Sequence, residues 1–162
     1  MDLPRIAFKE WAAVVLALER GLQDVVVRRG GVAEERDAFE ACHDAFLLWP
    51  TYHHQQREGL HPRYRHLFDD ALAAAPPAGR CRIGSWAEVL DVRILATEQE
   101  LDGLADRHVY SRDTLLERLR APHGRAFYVL SVRVRPLAEP LSIPIGAEHA
   151  GCKSWIPVAP GR

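Results

Sequence analysis

Phe8, Trp11, Val15 and Leu18 recur at i, i+3, i+7 and i+10, one face of a helical period of about 3.6 residues. Val14, Leu16 and four alanines thicken that face. The spacing predicts a buried helix over 6–20, stopped by Gly21 just past its end. Leu22 to Arg28 then reads as a strand around the β-branched run Val25-Val26-Val27, ended by a Gly30-Gly31 turn that tolerates positive φ. Residues 32–41 are charged and irregular, a loop or a weak edge strand. Ala45 to Trp49 is an unbroken apolar run stopped by Pro50, which is normal for a strand buried on both faces. Thr51 is placed to cap whatever follows. Leu60, Tyr64, Leu67, Phe68, Ala71, Leu72 and Ala75 mark an amphipathic helix, with Pro62 in its first turn and Pro76-Pro77 at its end.

Farther along, Ile83 to Leu95 reads as a long strand with room for a bulge. Strict alternation puts Trp86, Glu88, Leu90, Val92 and Ile94 on one face, and Glu88 interrupts that apolar set. Thr97-Glu98-Gln99-Glu100 has capping-box spacing and opens a short helix. Ser111 opens another, with Leu115, Leu116 and Leu119 inside, and His108 lies in the joint between the two. Ala126 to Arg135 alternates as a strand whose second face begins apolar and finishes basic. Beyond it Pro136, Pro140, Pro144 and Pro157 argue for extended chain around the body, and Lys153 to Val158 reads as a last edge strand. The whole is expected to be one α+β domain over 1–162, a mixed or mainly antiparallel sheet of about five or six strands with packed helices. A small β-barrel with inserted helices is the alternative.

Composition narrows the function classes. The chain has 162 residues, 48% apolar and 27% charged, ordinary for a soluble globular protein. A net charge of −1 argues against a general polyanion-binding surface and leaves room for a local basic patch. Cys42, Cys81 and Cys152 form no close-spaced pair, so a reduced, cytoplasmic protein is expected. No apolar run approaches the ~18 residues of a membrane span, and the N-terminus lacks the pattern of a signal peptide. No membrane partner is expected.

Candidate chemistry is sparse. Cys42 and His43 are neighbours, and adjacent strand residues point to opposite faces. Cys152 and Ser154 share a face if extended, and Cys152 could meet a distant histidine, with nothing to select this over a buried cysteine. No Cys-x-x-Cys or helical His-x-x-x-His pair suggests a metal. Lysine occurs only at Lys9 and Lys153, so the clustered carboxylates plus lysine of a magnesium-dependent nuclease are absent. Arg28-Arg29 before two glycines reads either as an anion-binding nest or as a hairpin with surface arginines. His61, Arg63, Arg65 and His66, with His53, His54 and Arg57, form the most basic patch; the alternative is a solvated helix face. A polar set of Arg28, Arg29, His54, Gln55, His108 and Arg133 suits phosphate or nucleobase recognition, with Tyr52 and Tyr110 able to stack on a base. The expectation is binding of a nucleotide or nucleic acid through a basic and imidazole-rich pocket. The alternatives are a phosphoester-processing enzyme with His54 or His108 as general acid or base, and a structural or partner-binding domain. No cofactor follows from the residues.

Four segments carry a resemblance: Phe8-Lys9-Glu10-Trp11-Ala12, Val27-Arg28-Arg29-Gly30-Gly31, Phe46-Leu47-Leu48-Trp49-Pro50-Thr51-Tyr52-His53-His54-Gln55 and Gly151-Cys152-Lys153-Ser154-Trp155. In this order, over nearly the whole chain, they resemble the bacterial domain-of-unknown-function family 1802. The resemblance implies a single intracellular domain. It nominates Lys9, Glu10, Arg28, Arg29, His54, Gln55, His108 and Ser154 as motif positions, with Lys9 and Glu10 added to the ligand-binding candidates. It assigns none of them a role.

Overall fold

The computed structural model describes residues 2–29, 43–120, 127–151 and 153–159. The Gly30-Gly31 turn, the 32–41 loop, and Cys42 and Cys152 with the pairings weighed for them lie outside the described residues. Among the described residues six strands form one mixed sheet in the order β2-β5-β4-β3-β1-β6, and that sheet does not close into a barrel. The strands are β1 (Ile6–Trp11), β2 (Val25–Arg29), β3 (Ala45–Thr51), β4 (Arg80–Leu95), β5 (Phe127–Pro144) and β6 (Trp155–Pro157). The helices are α1 (Ala12–Glu19), α2 (His66–Ala73), α3 (Glu98–Asp102) and α4 (Arg112–Arg120). β1 and β3 run parallel; the other neighbouring pairs are antiparallel. This is the expected α+β fold.

The helix expected over 6–20 is half strand. Ala7 and Phe8 are both buried, and they belong to different apolar clusters. An extended segment with core on each side leaves no polar positions to reveal its period of two. The helix begins only at Ala12, and six of its eight residues are buried. Gly21, at φ +71°, ends it in a Schellman arrangement: Leu22 N donates to Ala17 O at 2.9 Å and Gly21 N to Leu18 O at 3.2 Å.

The helix expected from Leu60 is likewise shorter. Two single turns of 3-10 helix, Arg57–Gly59 and Pro62–Tyr64, come first. Leu60 is committed to a β-bridge with Tyr110, which removes its backbone from any helix. Thr51 caps nothing, being the last residue of β3.

β5 runs on through the proline-rich stretch to Pro144, paired with β4. β2 flanks it only as far as Ser131, so the outer half is an edge, where proline is tolerated. β4 carries register irregularities at Ile83/Ser85 and Val89/Asp91. A bulge re-aims the side chains beyond it, so the expected single apolar face breaks up: Leu90 and Ile94 are 53% and 55% exposed. Before the first bulge, Cys81 and Ile83 join Ala7, Leu47, Trp49, Ile156 and Val158 in a small second core. The main core, with α1, Leu67, Leu115 and both halves of the sheet, contains Phe8, Phe46 and Val25–Val27. Among the described residues no helix is long and apolar enough to cross a membrane.

Candidate functional site

Of the nominated residues, His108 alone lines the cavity described below. Lys9 Nζ donates to the carbonyls of His149 and, at 3.2 Å, Gly151, while Lys9 N donates to Ser154 O at 2.8 Å; both tie the C-terminal segment to β1. Gln55 Oε1 accepts from Ala13 N at 3.3 Å, capping a helix that has no cap of its own, while Gln55 Nε2 is buried without a partner. His54 is exposed, with a left-handed backbone at φ +61°. Arg133 is exposed and, with Arg135, pairs with Glu88 at 3.5 Å. Arg28 is buried, its guanidinium 5.4 Å over the Trp155 ring, and Arg29 ends β2. His43, which stacks at 5.2 Å on the same Trp155, is held below the usual imidazole range by burial and by Arg28.

Glu10 is 5% exposed. Burial pushes its carboxyl up, against the opposing pull of the Arg118 guanidinium and the Tyr110 hydroxyl. Its Oε1 accepts from Trp11 N at 2.7 Å. Arg118 lies over two rings, 5.2 Å from Trp11 and 4.7 Å from Tyr110. The Tyr110 hydroxyl makes no hydrogen bond of normal geometry, yet it is close enough to Glu10 and Arg118 for its pKa to respond to both, after burial itself. Gly59 lets this cluster close: a Cβ there would meet Trp11 Cη2 at 2.7 Å.

His108 is different, because it lines a cavity. The space is about 350 Å³, at the lower end of small-molecule sites. His61, Arg63 and Tyr64 come to it from the turn before α2, and Asp102 and Asp106 from α3 and the 3-10 turn after it. Tyr110, Arg112 and Leu115 come from the start of α4 and the residues before it. The segment bearing His108 is pinned on several sides. Arg107 Nε donates to Asp24 Oδ1 at 2.8 Å. Val109 N donates to Gln23 Oε1 at 3.0 Å. His61 N donates to Val109 O, and Ser111 N to Gly59 O, each at 2.9 Å. Two distant loops are thereby zipped together around the Leu60–Tyr110 bridge.

His108 is 8% exposed, and its Nδ1 is buried with no hydrogen-bond partner. Burial, with His61 adding to it, lowers its pKa to about 4, so the ring is neutral at physiological pH and can both donate and accept. Arg112 is committed: it grips Asp102 at 2.7 and 3.1 Å and approaches Glu98 at 3.6 Å, holding the Asp102 carboxyl below its usual range. Arg63 stacks 4.8 Å over Tyr64. Among the described residues no group of three His, Cys, Asp or Glu could hold a metal. The sequence singled out His108, His61, Arg63 and Tyr110 separately. It carried no signal for Tyr64, Asp102, Asp106 and Arg112 as cavity residues, since only the Leu60–Tyr110 bridge brings these segments together.

A family model described as a domain of unknown function (DUF1802) matches residues 7–161. No curated protein and no solved structure matches the chain.

Proposed function

Since the chain belongs to the DUF1802 family, whose description names no activity, we propose from geometry that it binds a nucleotide in the cavity around His108. One observation carries the reading: a neutral, largely buried imidazole stands in the wall of a cavity that also holds two tyrosines and an arginine without an acidic partner among the described residues. Tyr64 offers ring surface to a base, His108 reads a base edge, and Arg63 meets phosphate. The reading rests on this cavity alone. Arg28, Arg29, His54, Gln55, Arg133, Lys9 and Glu10 stand outside it.

The catalytic alternative is weaker at His108. An imidazole held near a pKa of about 4 is a poor proton acceptor at neutral pH, where a general base works best with a pKa near the operating pH.

Thermal melts of the full chain with nucleoside monophosphates, nucleoside triphosphates, short oligonucleotides and inorganic phosphate test the reading. A ligand at about 100 times its Kd stabilises by about 2.7 kcal/mol, a rise of some ~5–11 °C for a chain of this size at about 2–4 °C per kcal/mol. The rise should disappear in His108→Gln and Arg63→Gln and persist in His54→Ala. A flat panel, or a rise that survives both cavity variants, overturns the reading.

A further inference from the structure

The charged groups around the cavity are not equivalent. Asp102 and Arg112 neutralise each other through two hydrogen bonds. That leaves Arg63 and Asp106, neither of which has an ion pair among the described residues. Arg63 is steadied along the Tyr64 ring, its forked N–H edge not engaged by any acid. Asp106 rides on the 3-10 turn Ala105–Arg107, and that turn is fixed. Arg107 N donates to Leu104 O at 2.8 Å and Asp24 N to Arg107 O at 3.3 Å. Arg107 also donates to Asp24 Oδ1 at 2.8 Å and Ser131 Oγ at 3.1 Å. The cavity therefore presents one uncommitted cation and one uncommitted carboxylate, both next to a neutral His108.

Resting on the nucleotide reading above, we infer that the cavity takes a single ribonucleotide, with Arg63 on its phosphate and Asp106 on the ribose 2′- and 3′-hydroxyls. An ionised carboxylate only accepts, and its two oxygens match two neighbouring hydroxyl donors. Charge-assisted hydrogen bonds of this kind are the stronger ones, and an acidic side chain reading the ribose 2′-hydroxyl is a recurring solution in nucleotide sites. A strand of nucleic acid fits less well. A cavity of about 350 Å³ holds one small ligand.

Calorimetric titration of the full chain with the four ribonucleoside 5′-monophosphates, their 2′-deoxy counterparts and a short oligoribonucleotide tests this. One ribonucleotide should bind about tenfold tighter than its deoxy form, the size expected for one charge-assisted hydrogen bond. Asp106→Ala should bring the two within about twofold, chiefly by weakening the ribonucleotide, with the melting temperature of the unliganded chain unchanged, because Asp106 is exposed and makes no ion pair among the described residues. Equal affinity for ribo and deoxy forms in the wild type, a preference that survives Asp106→Ala, or tighter binding of the oligonucleotide overturns the inference and leaves the nucleotide reading standing. Absence of binding by every nucleotide removes both.

Discussion

His108 shows how one buried polar side chain links stability to ligand. Its folded pKa of about 4 lies below the ordinary 6.5. Between those values the unfolded chain takes up a proton that the folded chain refuses. Its contribution to stability is full above pH 6.5 and is lost as pH falls toward 4, by at most about 3 kcal/mol. Glu10 works in the opposite sense. Its raised carboxyl makes its contribution present at low pH and lost as pH rises through its folded value. Subtracting the His108→Gln stability from that of the wild type isolates the imidazole. The difference, measured by urea denaturation, should fall between pH 7 and pH 4 and then level off. A difference independent of pH would mean that His108 is solvated in the fold. The other nominated residues divide by what they touch: Lys9 and Gln55 satisfy backbone groups.

At the scale of elements, the β1–α1 joint and α4 are held to each other by Arg118. Its guanidinium lies against both the Trp11 and Tyr110 rings, which themselves meet edge-on, and it is the opposite charge nearest the buried Glu10. Arg118→Ala removes both rings' cation partner and leaves Glu10 uncompensated, and should lower stability by about 1–3 kcal/mol. Arg118→Lys keeps the charge without the planar stack and should fall between the two. Denaturant midpoints of the three proteins decide the matter; coincident midpoints would make the contact mere surface decoration. Shorter-range features were readable directly. The Thr97 capping box is formed on both sides, and Gly21 closes α1 as its position indicated. Caps depend on residues three or four apart, so a linear pattern contains them.

For the whole molecule, the second core is the feature that makes the sheet two-sided. Cys81 lies in it, 2% exposed, and burial pushes its thiol up to about 12. Thiolate, the reactive form, is then scarce and shielded. Alkylation of Cys81, followed through the mass of its own peptide, should proceed at the rate of global unfolding and accelerate with urea in step with it. Fast labelling in the absence of denaturant would show that the outer end of the β4–β5 ribbon opens by itself.

Local periodicity was enough to mark β2, β3, the middle of β4, the start of β5 and the edge strand β6, and with them an α+β class. Apolar runs and alternation report burial directly in β2, β3 and the start of β5, and the structure agrees with them there. Three things lay beyond that pattern. The first is the strand–helix division at Trp11 and Ala12, hidden because a segment buried on both faces looks the same in either conformation. The second is the bulges of β4, which exchange its faces without any composition signal. The third is the cavity. His61 to Tyr64 and Leu101 to Leu115 meet only because the backbone of Leu60 pairs with that of Tyr110. Residues so far apart in the chain leave no shared period to read. Tertiary pairing alone made neighbours of them, and burial in that pairing, not the imidazole's own chemistry, made His108 neutral.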